Sequence, residues 1–546
     1  MARTPLLRSL ISLARDVRTA RSLGIPVDDM RGMRAEGRMP TRSLSRRSFL
    51  QASAAAGAAL WLPGEALAKL NKKKVKVAIV GGGISGLAAA ARLDRAGVPF
   101  TVYEASARAG GRMFSYTGPY FGGQTAEWCG ELIDSGHSRM RKMAKRYGLK
   151  LVNVRKAEPK GSQSTYRFGG SYYAEAQAIT DMQTIVPMLE QDLDGAGYPT
   201  SFDFSTPTGQ LIDQLSVRDW IESRVPGGVA SPFGTLLDIA YAGEYGADTT
   251  DQSALNLLYL LGFQPKPNGF EVFGESDEVF RIKGGNEQLP ERIAADLGIG
   301  TRVLLGHRMI KVSQDGNGVT LVFDTPGGTE TIVADFAILA LPFAVLSTMD
   351  LGEANFDAMK LQAIQDLGQG RNGKLQLQFN QRVWNGPGAW PGVSNGAAYF
   401  DAGLQSCWDA TRGQKGATGI LNVFTGGAAT VSLSANTPFA NASNPTVVAD
   451  AATALAQLEQ VFPGVNAQYT GKAISSVPHL LDTFGCSYSY YRVGQYTAFG
   501  GYEKAPQQRI HFAGEHCSRD FQGFMEGALR EGERAAKEIL VAIKTG

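Results

Sequence analysis

Cysteine is scarce in this chain, with four in 546 residues, at positions 129, 407, 486 and 517. No two stand at a CxxC spacing, which excludes a thiolate metal centre and a thioredoxin-like redox pair. Four are also too few, over this length, for a disulfide framework. Histidine is as sparse: His137, His307, His479, His511 and His516 stand singly, so no metal site is expected. No apolar run is long enough to span a bilayer, so no stable membrane anchor is expected. There is no internal repeat, and no basic patch interleaved with aromatics, so nucleic acid is not expected as a partner. The formal charge of +3 misleads, because residues 1–68 hold eleven arginines and five acids, leaving 43 basic against 46 acidic residues beyond. Hydrophobic and charged fractions of 43% and 19% are ordinary, and the length suits two or three domains that share cores.

The basic N-terminus reads as an address. Ser45-Arg46-Arg47-Ser48-Phe49-Leu50 is a twin-arginine motif; a weakly apolar stretch follows over residues 52–62, and Ala66-Leu67-Ala68 is a small-residue cleavage site. The expected partner is the twin-arginine export machinery, which carries folded proteins, and the mature protein is expected to be periplasmic or secreted. The lead-in before the motif is long, and a start at Met39 would give a signal of ordinary length.

Residues 75–80 form a short, β-branched apolar run, the pattern of a buried parallel strand. Gly81-Gly82-Gly83-Ile84-Ser85-Gly86 follows and fits G-x-G-x-x-G at the head of an Ala-rich helix. Gly81 permits the tight turn, Gly83 lets a pyrophosphate approach the backbone, and Gly86 allows helix and strand to pack closely. A second strand over residues 100–103 ends at Glu104, about twenty residues past the glycines, where a carboxylate accepts from ribose hydroxyls. Strand, glycines, helix, strand and acid in that order predict an adenine-dinucleotide site that fits NAD or FAD equally.

Two further segments make the choice. Arg108-Ala109-Gly110-Gly111-Arg112 follows the acid. Near the C-terminus, residues 510–512 read as a strand that exits through Ala513-Gly514-Glu515. Beyond about Gly523, the residues Met525, Ala528, Leu529, Ala535, Ala536, Ile539 and Leu540 keep helical spacing. This pair of segments resembles the flavin-dependent amine oxidase family, which includes monoamine oxidases, polyamine oxidases and L-amino-acid oxidases. The resemblance implies FAD as cofactor, held by Gly81, Gly83, Ile84, Ser85, Gly86, Glu104 and Ala105 at the nucleotide end. It implies Arg112 on the pyrophosphate, Glu515 on the ribityl chain, and Phe524 and Met525 at a helix start facing the flavin N1–C2=O edge. Residues 126–134 resemble the loop that passes the flavin, with Gly130, Glu131, Leu132 and Ile133 in contact. Residues 280–289 resemble a glycine turn, and residues 302–312 a strand whose Met309 touches adenine through its backbone.

The implied fold is α/β. A Rossmann-like FAD-binding domain of glutathione-reductase type would comprise residues 75–115, 280–345 and 495–546. A mixed-sheet substrate domain would take 116–177 and 346–494, with a helical insertion at 178–279 and a leader at 1–68. Residues 437–446 read as a surface loop.

The same resemblance places the chemistry. Lys374 precedes Trp384 by ten residues, as in monoamine oxidases, whose lysine holds a water against flavin N5. A charge there also assists reaction with oxygen. Tyr488 and Phe524 would line the substrate pocket. Cys486 aligns with the residue that carries FAD through a thioether in monoamine oxidases, the alternative being a buried free thiol. Asp134 aligns with an acid lining the tunnel of plant polyamine oxidases, where it would attract a second ammonium or guanidinium; otherwise it caps the helix that follows. The arginine that clamps the substrate carboxylate in snake-venom L-amino-acid oxidases falls at Ile133, so an amino-acid substrate would need another, such as Arg492. The expected reaction is oxidation of a primary amine or amino acid to an imine, which hydrolyses to a carbonyl compound and ammonia. Oxygen would be reduced to hydrogen peroxide. The alternatives are an L-amino-acid oxidase with a relocated clamp and an amine dehydrogenase feeding a redox protein. The sequence does not specify an oligomeric state.

Overall fold

Four consecutive buried apolar residues, Val77–Val80, form β1, the middle strand of a five-stranded parallel sheet. The others are β2 (Phe100–Glu104), β3 (Val303–Leu305), β4 (Phe336–Leu339) and β5 (Ile510–Phe512), in the order β5–β4–β1–β2–β3. Strands buried on both faces need apolar side chains at every position rather than at alternate ones, and β4 and β5 show this as β1 does. The computed structural model describes residues 74–264 and 270–545, so the twin-arginine motif and its cleavage site lie outside the described residues.

Two helices press on this sheet. The first, α1 (Ile84–Arg95), leaves β1 through the glycines. Gly81 lies at φ +104°, and a Cβ at Gly86 would stand 2.0 Å from the Gly81 carbonyl oxygen, so the turn tolerates a side chain at neither position. The second, α2 (Met525–Thr545), crosses the start of α1 at Gly532, where a Cβ would come within 2.0 Å of the Ser85 carbonyl oxygen.

The stretch read as one strand over 302–312 divides at Gly306 (φ +73°). Its first half is β3; its second, Arg308–Gln314, begins an antiparallel three-stranded sheet with Val319–Thr325 and Gly328–Ala334. The hairpin turn between the first two of these strands is closed by Asp315, whose carboxylate accepts from the N–H groups of Asn317 (2.7 Å) and Gly318 (3.0 Å).

A nine-stranded mixed sheet makes the other half of the molecule. Asn372–Phe379, buried at all eight positions, lies between Gly419–Gly426 and Tyr469–Ser476. The core on one side gathers Phe379, Trp384, Phe400, Leu458 and Phe462. Trp384 is fully buried there, its Nε1 donating to Asp409 at 3.2 Å. The expected surface loop at 437–446 contains an edge strand, Phe439–Asn441, paired to Tyr469–Ser476. Edge pairing uses the backbone alone, and an Ala/Asn composition does not announce it.

Helices Glu175–Ala196, Pro207–Asp213, Val217–Arg224, Pro232–Tyr245 and Ala254–Leu261 fill the segment read as helical. None of the described helices is long and apolar enough to cross a membrane. The helix expected from residue 135 starts at Ser138 instead, with His137 at its N-cap position and no side-chain cap of its own. Glu526 from α2 accepts from the free N–H groups of Arg139 (3.1 Å) and Met140 (2.8 Å), a cap supplied across 386 residues.

The crossing at Gly532 yields a stability test. Glycine to alanine usually stabilises a helix by about 0.5–1 kcal/mol. Here Gly532→Ala is expected to cost about 1–3 kcal/mol, because α2 must leave Ser85. Thermal unfolding of holoenzyme checks this, and a raised midpoint would refute the packing argument.

Candidate active site

A cavity of about 480 Å³ runs between the parallel sheet and the nine-stranded sheet. One end is the glycine turn after β1. Gly81, Gly83, Ile84, Ser85 and Glu104 line it, joined by Gly110, Gly111 and Arg112 from the second glycine run. A Cβ at Gly83 would meet nothing within 4 Å, so the surface beside it is open to a ligand. The buried Ser85 hydroxyl has no hydrogen-bond partner among the described residues, at the α1 N-terminus where an anion is favoured. An orphaned hydroxyl, a glycine cradle and a helix start fit a pyrophosphate. Glu104 accepts from the Gly82 N–H at 2.6 Å and from the Ser106 N–H and hydroxyl at 2.8 and 2.6 Å, which fixes its carboxylate at the cavity wall.

Arg112 and Glu515 form the next layer, 3.1 Å apart. Burial opposes both charges, but their mutual attraction, with Cys486 adding to it for Arg112 and His516, Ser489 and Gly523 for Glu515, leaves the Arg112 pKa above its usual value and that of Glu515 below. Glu515 also accepts from the Ser489 N–H and hydroxyl and from the Gly523 N–H at 2.9 Å. It thereby joins the exit of β5, the 487–490 run and the approach to α2. Phe524 and Met525 line the cavity beside it.

Lys374 lines the cavity from the buried strand Asn372–Phe379. Its Nζ donates to Glu131 Oε2 and to the Cys129 carbonyl, both at 2.8 Å, and more distantly to the Glu127 carbonyl at 3.5 Å. Trp408 Nε1 donates to the other Glu131 oxygen at 3.1 Å. Burial pushes the Glu131 carboxyl up, but Lys374, the Trp408 hydrogen bond and Arg281 together hold its pKa below the usual value. The 127–132 loop is laced from behind by Asn286. The Asn286 amide donates to the carbonyls of Gly130 (3.0 Å) and Glu131 (2.7 Å), and its N–H donates to Glu127 at 2.9 Å. Burial raises Glu127 to about 8, so that side chain is neutral at pH 7.

Beyond Lys374 the walls are aromatic and acidic. Tyr166, Tyr245, Tyr399, Trp408 and Tyr488 are present, with Glu244 and Glu278 between them. Both glutamates are partly accessible, from within the cavity, and neither carboxylate has a hydrogen-bond partner among the described residues. Burial raises Glu278 to about 7 and Glu244 to about 8, and nearby acids add to it. Glu278 sits in the left-handed region at φ +46°, a conformation that costs a non-glycine residue about 1–3 kcal/mol.

Fourteen expected site residues therefore share one cavity: Gly81, Gly83, Ile84, Ser85, Glu104, Arg112, Gly130, Glu131, Leu132, Lys374, Tyr488, Glu515, Phe524 and Met525. Others lie outside its lining. Gly86 packs against Gly81, and Ala105 is partly exposed past the end of β2. Ile133 is fully buried and exchanges backbone hydrogen bonds with Phe280, and Met309 is buried opposite Phe323.

Asp134 departs from both of its expected roles. It neither faces the cavity nor caps the helix. Fully buried, it accepts from the Glu278 N–H (3.0 Å) and the Ser276 hydroxyl (2.9 Å), and so holds the loop that carries Glu278. Arg492 is half exposed, 3.5 Å from Asp251, and is no clamp for a ligand in this cavity. Cys486 also faces elsewhere: its sulfur lies in a small void with Phe343 and His516, 3.9 Å from Arg112 Nη1. Burial lifts that thiol to about 11, and it is a free cysteine.

Sequence reasoning missed Glu244, Glu278, Trp408, Asn286 and Gln522, whose buried side-chain amide has no partner among the described residues and which lines the cavity. Only Asn286, inside the glycine turn at 280–289, and Gln522, between Glu515 and the C-terminal helix, lay in segments already singled out.

Comparison with known proteins places these features in a family. Residues 84–231 and 259–540 match the family model described as flavin containing amine oxidoreductase, and residues 43–62 match the twin-arginine translocation pathway signal sequence. The chain is similar to an L-amino acid dehydrogenase of Synechocystis sp., 26% identical over 85% of this chain and 94% of that protein. It is also similar to a flavin-containing amine oxidase of Danio rerio, 24% identical over 86% of each chain. Among solved structures, cyclohexylamine oxidase from Brevibacterium oxydans superposes with a TM-score of 0.72 at 21% identity, covering 86% of this chain and 99% of that one. Putrescine oxidase bound to putrescine gives a TM-score of 0.69 with the same identity and coverage.

The position of Cys486 sets an expected outcome. Acid precipitation of the purified yellow protein should leave all flavin in the supernatant; colour retained in the washed pellet would mean that the sulfur reaches the cofactor.

Proposed function

This chain belongs to the flavin containing amine oxidoreductase family, and from that premise we propose that it oxidises an amine bearing a second cationic group. FAD is the cofactor of the family, and the twin-arginine signal directs the protein to the periplasm or out of the cell.

The reading rests on two cavity carboxyl groups that lack a cationic partner and that a bound cation would hold ionised. Each of its four basic lining side chains is matched to a carboxylate: Arg112 to Glu515, Lys374 to Glu131, Arg412 to Glu158, and Arg155 to Glu271 at 3.8 Å. Glu244 and Glu278 have no such partner among the described residues. A cavity with uncompensated carboxylates attracts ammonium or guanidinium groups and repels a substrate carboxylate. An L-amino acid, the second reading, is favoured by the Synechocystis relative, but it would have to draw Arg155 or Arg412 away from its glutamate.

When bound, FAD supplies a two-electron acceptor for the hydrogen on the carbon next to the reacting nitrogen. The protein's part is binding and orientation. Glu244 and Glu278 hold the distal cation, which fixes how far the reacting amine reaches. Tyr245, Trp408 and Tyr488 exclude water and favour the neutral form of that amine. The imine released hydrolyses to a carbonyl compound and ammonia, and oxygen is the acceptor, giving hydrogen peroxide.

Anaerobic mixing with matched diamines, monoamines and L-amino acids tests the reading: flavin bleaching should be fastest with diamines. The ratio of kcat/KM for a diamine to that for a monoamine should rise with pH through about 7 to 8, where Glu278 and Glu244 ionise. Glu278→Gln should cut that ratio about ten-fold or more. Faster bleaching by amino acids than by their decarboxylated counterparts would refute the proposal.

A further inference from the structure

Lys374 commits its ammonium to the protein. Its three N–H donors face Glu131, the Cys129 carbonyl and, at longer range, the Glu127 carbonyl, and the side chains of Lys374 and Glu131 are only 9% and 6% exposed. Glu131 is committed as well, with Lys374 on one oxygen and Trp408 on the other. The loop beneath it is pinned by Asn286, and Gln376, two residues along the strand from Lys374, donates to the Glu127 carbonyl at 2.9 Å. The pair is thus built into two rigid elements and is no chance meeting of flexible chains. Its consequence is electrostatic. A lone buried ammonium projects its charge across a cavity, whereas one paired at 2.8 Å presents a dipole whose field falls away within a few ångströms.

Oxygen reduction is sensitive to such a charge. In that step O2 takes two electrons and a proton from the reduced cofactor and a second proton from water, giving hydrogen peroxide and oxidised cofactor. Negative charge develops on oxygen along the way, and an unpaired cation beside it lowers the barrier. We infer that Glu131 is a positioning residue that holds Lys374 in a neutral pair at the cofactor and so restrains the reaction with oxygen. The inference rests on the proposed function and on Lys374 facing the flavin.

The test uses FAD-loaded enzyme of four kinds: wild type, Glu131→Gln, Lys374→Met and the double variant, each first checked for FAD content. Two readouts need no amine: the rate of reoxidation by oxygen after dithionite reduction, and the dissociation constant of sulfite from the oxidised flavin. Sulfite adds to the flavin as an anion and so reports positive charge beside it. Glu131→Gln should speed reoxidation about ten-fold and tighten sulfite by a similar factor. Lys374→Met should weaken sulfite binding, and the double variant should return towards wild type, since it too is neutral. If Glu131→Gln fails to hold FAD, Glu131→Asp, which withdraws the carboxylate by one methylene, should shift both readouts in the same direction by less. A shift in Lys374→Met with none in either Glu131 variant would overturn the inference alone. No shift in any variant would overturn the placement of Lys374 as well.

Discussion

A charge taken out of water must bring its partner with it, and the pairs that meet this demand tie the cavity together. Arg112 and Glu515 are 403 residues apart in sequence, and Lys374 and Glu131 are 243 apart. Removing one member of such a pair strands the other at a cost of about 3–5 kcal/mol, so each acts as a lock between segments that the backbone does not join. Asn286 extends the same logic to neutral groups. Its amide satisfies two carbonyls of the 127–131 loop, and its N–H joins the Ser115 hydroxyl in satisfying the Glu127 carboxyl.

Close backbone contact does the rest of the positioning. The missing Cβ atoms at Gly86 and Gly532 let α1 lie on β1 and α2 lie on α1. The second contact is made at the Ser85 carbonyl, so the residue whose hydroxyl faces the cavity is braced from behind by the C-terminal helix. The N-cap that Glu526 gives to the Ser138–Arg146 helix anchors the other flank of α2. Thus α2 sits between the dinucleotide turn and the segment that follows the flavin loop, and it cannot move without disturbing both.

What the sequence revealed follows from the range of each interaction. The strand, glycines, helix and acid from Val77 to Glu104 depend on neighbours within thirty residues, and so does the β5 exit to Glu515; these were legible. Residues whose roles are set by distant partners were not. Asp134 sits one position past Ile133, and nothing local says that its carboxylate turns to Ser276 and Glu278 rather than to the cavity. Cys486 and Ser487 are adjacent, yet only Ser487 lines the cavity, because the chain turns between them. Glu244 reads as one more polar position on an apolar helix, Pro232–Tyr245, and Glu278 as a loop acid. Their meeting is a product of tertiary packing. Family resemblance singled out Lys374, which lines the cavity, but not its partner, because Glu131 was read for the loop that it occupies.

The distribution of the cavity along the chain bears on export. Its lining runs from Gly81 to Ala528, with contributions from the glycine turn, the flavin loop, the central strand and the head of α2. No half of the protein holds a complete dinucleotide site: the turn at Gly83 lacks Glu515, and Glu515 lacks Arg112. The cavity is therefore complete only after the last helix has been made and has docked on α1. A channel that threads unfolded chain would deliver the protein to a compartment where the cofactor is scarce and its site unformed. A twin-arginine signal, matched over residues 43–62, instead selects a route that accepts folded cargo, which suits a cavity built from both ends of the chain.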